Sequence, residues 1–284
     1  MANRGLRVVP LSGALGAEIE GVDLACPLDG ETFAKIREVW LEYRVIFFRD
    51  QRLSPEQHQA FARRFGELQS HPYVKSLDGF PHVIPIVKEP ADEVNFGGGW
   101  HTDVTFLERP ALGSLLYAHQ VPARGGDTLF ADMVRAYETL SEGMRELLAP
   151  LRAVHSARSQ YGLYGESARN ASRRSGMQLQ ATEAAEETVE HPVVRTHPET
   201  GRRSLFVNPA FSERFVGMTR RESRPLLDFL YRHATEEANT CRFHWTAGAL
   251  AFWDNRCTQH YALNDYPGER REMHRVTVQG ERPV

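Results

Sequence analysis

The sequence is short of lysine: only Lys35, Lys75 and Lys88 among its 34 basic residues are lysine, and the rest are arginine. Arginine suits planar, forked recognition of carboxylate-like groups, although codon bias produces the same pattern. Cysteine is scarce as well. Cys26, Cys241 and Cys257 are odd in number, far apart and without a C-x-x-C pair. This argues against a disulfide framework or a structural zinc site and fits a reducing compartment. No run of about 18 apolar residues occurs, and the opening "MANRGLRVVPLSGALGAEIEG" has no sustained apolar core. Excess positive charge is missing too. A formal charge of −3 and a pI near 6.5 give no global attraction for nucleic acid or an anionic membrane. The expectation is a cytoplasmic protein with neither nucleic acid nor membrane as partner.

With 284 residues and 41 % hydrophobic content, the chain is long enough for a large core. No linker is convincing enough to divide it, so a single domain over 1–284 is expected. Residues 6–24 alternate short apolar runs with glycine, and "YRVIFFRD" (43–50) has the β-branched and aromatic content of a buried strand. Further strands are expected over 113–121, 127–133, 191–198, 203–208, 241–245, 249–254 and 273–280. Helices are expected over 54–68, opened by Ser54-Pro55 with Gln57, over 134–151, and over 219–235, capped by Thr219 with Glu222. The polar segment 160–190 reads as an insertion and a lid. Many short strands with a few helices point to a mainly β core, barrel or sandwich, with flanking helices.

The stretch "NFGGGWHTDVTF" (95–106) sets His101 two residues before Asp103, the only H-x-D among twelve histidines. Residues i and i+2 of an extended chain point to one side, so the pair could supply two ligands of a 2-His-1-carboxylate iron site. A half-buried strand histidine bonded to Asp103 explains the same spacing. His197-Pro198-Glu199 is the nearest competitor but lies in the turn-like "THPETG". A third ligand has to come from elsewhere, and His260 in "WDNRCTQHYALNDY", placed in a polar loop after an apolar strand, is the candidate. In "GERREMHRVTV", Arg271, Met273 and Arg275 would share one face of a strand. Two inward guanidinium groups need anions, either internal acids or ligands.

Together these blocks resemble the taurine dioxygenase family of Fe(II)/2-oxoglutarate-dependent oxygenases, which includes alkylsulfatase-type and phenoxyalkanoate dioxygenases. The resemblance runs from "LGAEIEGVDL" (15–24) through "WHTDVTF" (100–106) and "GGDTLF" (125–130) to "MHRVTVQG" (273–280). It implies a double-stranded β-helix (jelly-roll, cupin-like) core and His101, Asp103 and His260 as ligands of Fe(II). It also implies Thr128 and Arg271 as the clamp for the distal carboxylate of the cosubstrate 2-oxoglutarate, with O2 as oxidant and succinate and CO2 as coproducts. Arg275 matches the position that holds an anionic substrate head, and His71, Tyr73, Tyr161 and Phe211 match pocket residues. The taurine enzymes carry asparagine where this chain has Gly97; its own Asn95 lies two residues upstream, and Gln160 stands where a small hydroxyl residue is expected. The expected substrate is therefore a small organic anion (a sulfonate, sulfate ester, or aryloxy or carboxylic acid) with taurine disfavoured. The resemblance further implies a homo-oligomer, dimer or tetramer. A zinc-type hydrolase and a non-catalytic anion sensor on the same fold are the alternatives.

Overall fold

A computed structural model describes residues 5–284. The chain is mainly β, and helices flank it. Its largest sheet has eight strands. Six run in the order Arg7–Pro10, Ala17–Glu20, Val45–Phe48, Leu250–Asp254, Ala111–Gln120 and Arg271–Gln279. Val83–Lys88 and Leu68–Gln69 both pair with the far side of the last of these. All pairings are antiparallel except Ala17–Glu20 with Val45–Phe48.

Alternation along these strands gives the sheet two apolar faces. On one face Ile46, Phe48, Leu115, Phe252 and Val276 pack against the helices Gly30–Tyr43 and Pro55–Arg63, with Trp40 stacked on Phe252 at 4.5 Å. On the other, Val45, Phe47, Leu116, Trp253 and Met273 face a three-stranded sheet of Thr240–Phe243, Thr128–Asp132 and Thr258–Ala262. Phe47 stacks on Phe243 at 3.9 Å and meets Phe130 edge-on at 5.6 Å, which locks the two sheets together. Each buried phenylalanine contributes on the order of 2 kcal/mol through area removed from water.

Local sequence explains most element ends. Ser54 with Gln57, and Thr219 with Glu222, form capping boxes at the starts of Pro55–Arg63 and Arg220–Ala234. The single helix expected over 134–151 is instead two, Met133–Glu138 and Glu142–Leu148. The Thr139 hydroxyl donates back to the Arg135 carbonyl, and Ser141 caps the second helix by accepting from the Met144 amide. The strand expected over 191–198 is likewise divided, into Thr188–Pro192 and Val194–Thr196. Helix Gly30–Tyr43, capped by Asp29, was not among the expected elements, although Ile36, Val39 and Trp40 recur at helical spacing.

The polar segment 160–190 runs beside the stretches around Tyr73 and Asp92–Asn95. Short helices Arg158–Tyr161 and Glu166–Arg169 begin it, and its return path is tied down at several points. Gln180 N donates to Tyr73 O, Ser175 N and Oγ donate to Asp92 Oδ1, and Arg174 Nη2 donates to Asn95 O. Among the described residues, no helix is long and apolar enough to cross a membrane.

Candidate active site

His260 lies inside the strand Thr258–Ala262, not in the loop expected for it. His101 joins that strand by a two-way backbone pair, His101 N to His260 O at 3.0 Å and His260 N to His101 O at 2.8 Å. This bridge sets the two imidazoles side by side, with ring centroids 4.0 Å apart. The extended His-x-Asp geometry expected from spacing is not what brings Asp103 in. After His101 the chain turns, and Val104 takes φ 47°, a left-handed conformation that costs a β-branched residue roughly 1–3 kcal/mol. The turn is held by the Asp103 amide donating to Asn255 Oδ1 at 3.2 Å.

One nitrogen of each histidine and one oxygen of Asp103 lie within 4.8 Å of one another. His101 Nδ1 donates to the Gly99 carbonyl at 2.8 Å, which leaves Nε2 as a lone pair 3.9 Å from Asp103 Oδ1. Burial lowers the pKa of both imidazoles, most strongly for His260, so both are neutral. For Asp103, burial favours protonation, but the Arg275 charge and the Ser114 hydrogen bond oppose it and hold the carboxyl well below the usual range. Its two oxygens are separately anchored. Arg275 Nη1 donates to Oδ1 at 2.7 Å and Ser114 Oγ to Oδ2 at 2.7 Å, while Asn255 Nδ2 donates to Ser114 Oγ at 2.9 Å.

Behind this cluster is a narrow cavity lined by Ile86, Leu116, Thr128, Trp253, Arg271 and Arg275 among others. Arg271 and Arg275 do project to the same side of strand Arg271–Gln279, with Met273 buried between them. Their bonding differs. Arg275 meets the acid Asp103, whereas Arg271 Nε and Nη2 are buried without any hydrogen-bond partner. Burial lowers the pKa of Arg271, which marks the cost of holding this charge unpaired. Thr128 Oγ1 accepts from Trp245 Nε1 at 2.9 Å, so its proton is left to donate into the cavity.

Outside lies a wider pocket, walled by Phe96–Trp100, Gln160, Tyr161, Arg174 and Phe211. Of the expected pocket residues, Tyr161 and Phe211 line it; His71 and Tyr73 do not, but stand behind them in one aromatic group with Phe106. Ring centroids are 5.4 Å apart for His71–Tyr161, 5.0 Å for Tyr73–Tyr161 and 5.0 Å for Phe106–Phe211. Burial, and then the charge of Arg275, push the His71 pKa down to about 3, so this imidazole is neutral. The glycine run packs closely against the first histidine. Gly97, at φ 76°, sits so close that a Cβ would approach His101 Cε1 to 3.1 Å. Asn95 spends its amide on the Ala262 carbonyl at 2.9 Å, so it clamps the loop and does not face the pocket.

Comparison with known proteins places this arrangement. The family model "Taurine catabolism dioxygenase TauD, TfdA family" matches residues 7–277. The chain belongs to the TauD/TfdA dioxygenase family. It is 40 % identical over 280 residues to an α-ketoglutarate-dependent sulfate ester dioxygenase of Pseudomonas putida, covering 98 % of this chain and 91 % of that protein. An alkylsulfatase of Acinetobacter baylyi is 37 % identical over 278 residues, covering 97 % and 86 %. A crystal structure of a taurine dioxygenase from Burkholderia xenovorans superposes with a TM-score of 0.82 at 40 % identity, covering 98 % and 91 %. This TauD/TfdA member is thus a 2-oxoglutarate-dependent dioxygenase, a class that works with Fe(II) and O2.

The residues fit that metal and cosubstrate. Two neutral imidazoles with a carboxylate form the donor set of a facial iron site, and His260 Nδ1 is buried without a partner. The orphaned Arg271 fork beside a free hydroxyl proton matches a carboxylate. Sequence reasoning missed Ser114, Asn255, Phe106 and Arg174. Phe106 could have been suspected, since it ends the "WHTDVTF" block; the other three carry no local signal.

Proposed function

We propose that this dioxygenase hydroxylates the carbon next to the heteroatom of a small organic anion, with sulfate esters first among sulfates, sulfonates and aryloxy acids. The reading rests on one observation: a buried Arg271, with two donor nitrogens unpaired among the described residues, shares a cavity with His101 and His260, whose donor atoms converge with that of Asp103. A hydrolase has no use for that fork, and an anion sensor has no use for the three converging donors. The sulfate-ester and alkylsulfatase relatives support the substrate class.

His101, Asp103 and His260 would hold Fe(II), and Arg271 with Thr128 would hold the distal carboxylate of 2-oxoglutarate. Iron bound with 2-oxoglutarate and O2 supplies the oxidation of a C–H bond, with release of succinate and CO2. Everything else is done by the chain's own groups. Ser114 and Arg275 fix the Asp103 carboxylate from both sides. Arg275, whose Nε has no partner, would take the anionic head of the substrate, and neutral His71 would flank that head without adding charge. Tyr161 and Phe211, backed by Tyr73, shape an apolar wall that orients the rest of the molecule and excludes water.

We read the two facing sheets as a jelly-roll, residues 1–284 as one domain, and the 160–190 segment as its cover. A homo-oligomer in the cytoplasm is the state assigned on family grounds. Taurine is disfavoured because the Gly97–Asn95 loop offers its pocket no asparagine amide. The test is Fe(II)-dependent succinate release across alkyl sulfates, sulfonates and aryloxy acids. Release with an alkyl sulfate is expected, and no succinate with any compound, even uncoupled, would overturn the reading.

A further inference from the structure

Arg174 comes from the polar cover to the mouth of the outer pocket, and its guanidinium is only partly engaged. Nη2 donates to the Asn95 carbonyl at 2.8 Å, Nε is buried with no partner, and Nη1 makes no hydrogen bond to any described residue. Glu166 lines the same pocket and acts on this charge at longer range, but no hydrogen bond or ion pair joins the two, so Nε and Nη1 keep their donors for an outside acceptor. Phe96 connects this arginine to the inner chamber. Its ring centroid lies 6.0 Å from Arg174 Cζ and 5.6 Å from Arg275 Cζ, and Phe96 lines both cavities. Two guanidinium groups therefore bracket one aromatic ring, the inner near the candidate iron ligands and the outer at the entrance. Between them the walls are Trp100, Tyr161, Pro209 and Phe211, which suit a hydrocarbon or aryl span.

We propose that Arg174 binds a second anionic group, a carboxylate, at the end of the substrate remote from the head held by Arg275, so that the preferred substrates are dianions with an apolar middle. A half-buried guanidinium with free donors gains from a charged acceptor, and one such bond changes affinity by about tenfold or more. The assignment rests on the proposed function in one respect, the placement of the head group at Arg275.

Binding separates the two. Protein loaded with Mn(II) and 2-oxoglutarate, which does not turn over, is titrated calorimetrically with an alkyl sulfate and with its ω-carboxy derivative of equal chain length. A matching pair of aryloxyacetates serves as the second series. The ω-carboxy member should bind at least about tenfold tighter in one series. Arg174→Met should reduce that ratio by about tenfold, and Arg174→Lys should restore part of it. Equal binding of both members to the unaltered protein overturns the proposal. So does an Arg174→Met variant that weakens both members alike, the behaviour of a simple latch on Asn95. A preference without succinate formation under Fe(II) would sink the proposed function and leave this inference standing; succinate without a preference does the reverse.

Discussion

Two clusters in this protein offer a metal the same chemistry on paper. His101, Asp103 and His260 are one; His197, Asp254 and Cys257 are the other, and both are buried with ligand atoms within 4.8 Å of one another. They differ in what is left over. In the second cluster His197 Nε2 pairs with Asp254 Oδ2 at 3.0 Å, and Nδ1 accepts from the amides of Glu199 and Thr200. Asp254 takes Arg256 Nε and Nη2 at 2.8 and 2.7 Å, and burial raises the Cys257 thiol so that it stays protonated. Glu199 closes the network through Arg256 Nη1 at 2.7 Å. Nothing there is free to bind. In the first cluster His260 Nδ1, Arg275 Nε and two nitrogens of nearby Arg271 have no partner among the described residues. A satisfied network holds a fold together, and an unsatisfied one is held by the fold for something else.

Substitutions sharpen this contrast. The largest effect is expected from His101→Ala, which should abolish Fe(II)-dependent succinate release while moving the melting temperature of the metal-free protein little. A large loss of stability with activity retained would reverse the assignment of the two clusters. Asp254→Asn should do the opposite. Removing one partner of a buried charge network costs about 3–5 kcal/mol, toward the lower end here because Glu199 still meets Arg256, and a denaturant titration would show it. The affinity of Asp254→Asn for Fe(II) should be unchanged. Ser114→Ala comes next: with one Asp103 oxygen released, metal affinity should fall about 10–100-fold by direct titration, a readout independent of turnover.

The remaining effect is one of pH. Burial lowers the pKa of His191 to about 4 and of His58 to about 3, and pushes His155 well down. Such histidines are neutral when folded and bind protons more readily when unfolded. Their contribution is therefore complete above pH of about 6.5 and is lost as pH falls toward 4. Thermal melts should decline through that window. A flat profile would mean that these three side chains are not buried as neutral imidazoles.

Much of the molecule was legible beforehand. Capping boxes at Ser54 and Thr219 are local, and the Arg271–Met273–Arg275 alternation follows from strand geometry alone. The donor types of the site were legible as well, because only one H-x-D exists among twelve histidines. The resemblance of ordered blocks supplied the role of each residue, which spacing could not. The break at Thr139–Ser141 was missed because apolar periodicity continues through it while hydroxyl capping ends the helix.

What the sequence by itself determined is which groups are available: two imidazoles, a carboxylate, a forked cation and a row of aromatics. Only the tertiary structure decided which of them meet. His260 and not His197 stands beside His101, because an antiparallel bridge pairs their backbones. Ser114 and Asn255 reach Asp103 from 11 and 152 residues away, and Arg174 reaches Asn95 from 79. Such contacts depend on strand register and on where the polar segment is tied down. Neither is written in any short stretch, since the same side chains would be equally content in other neighbourhoods.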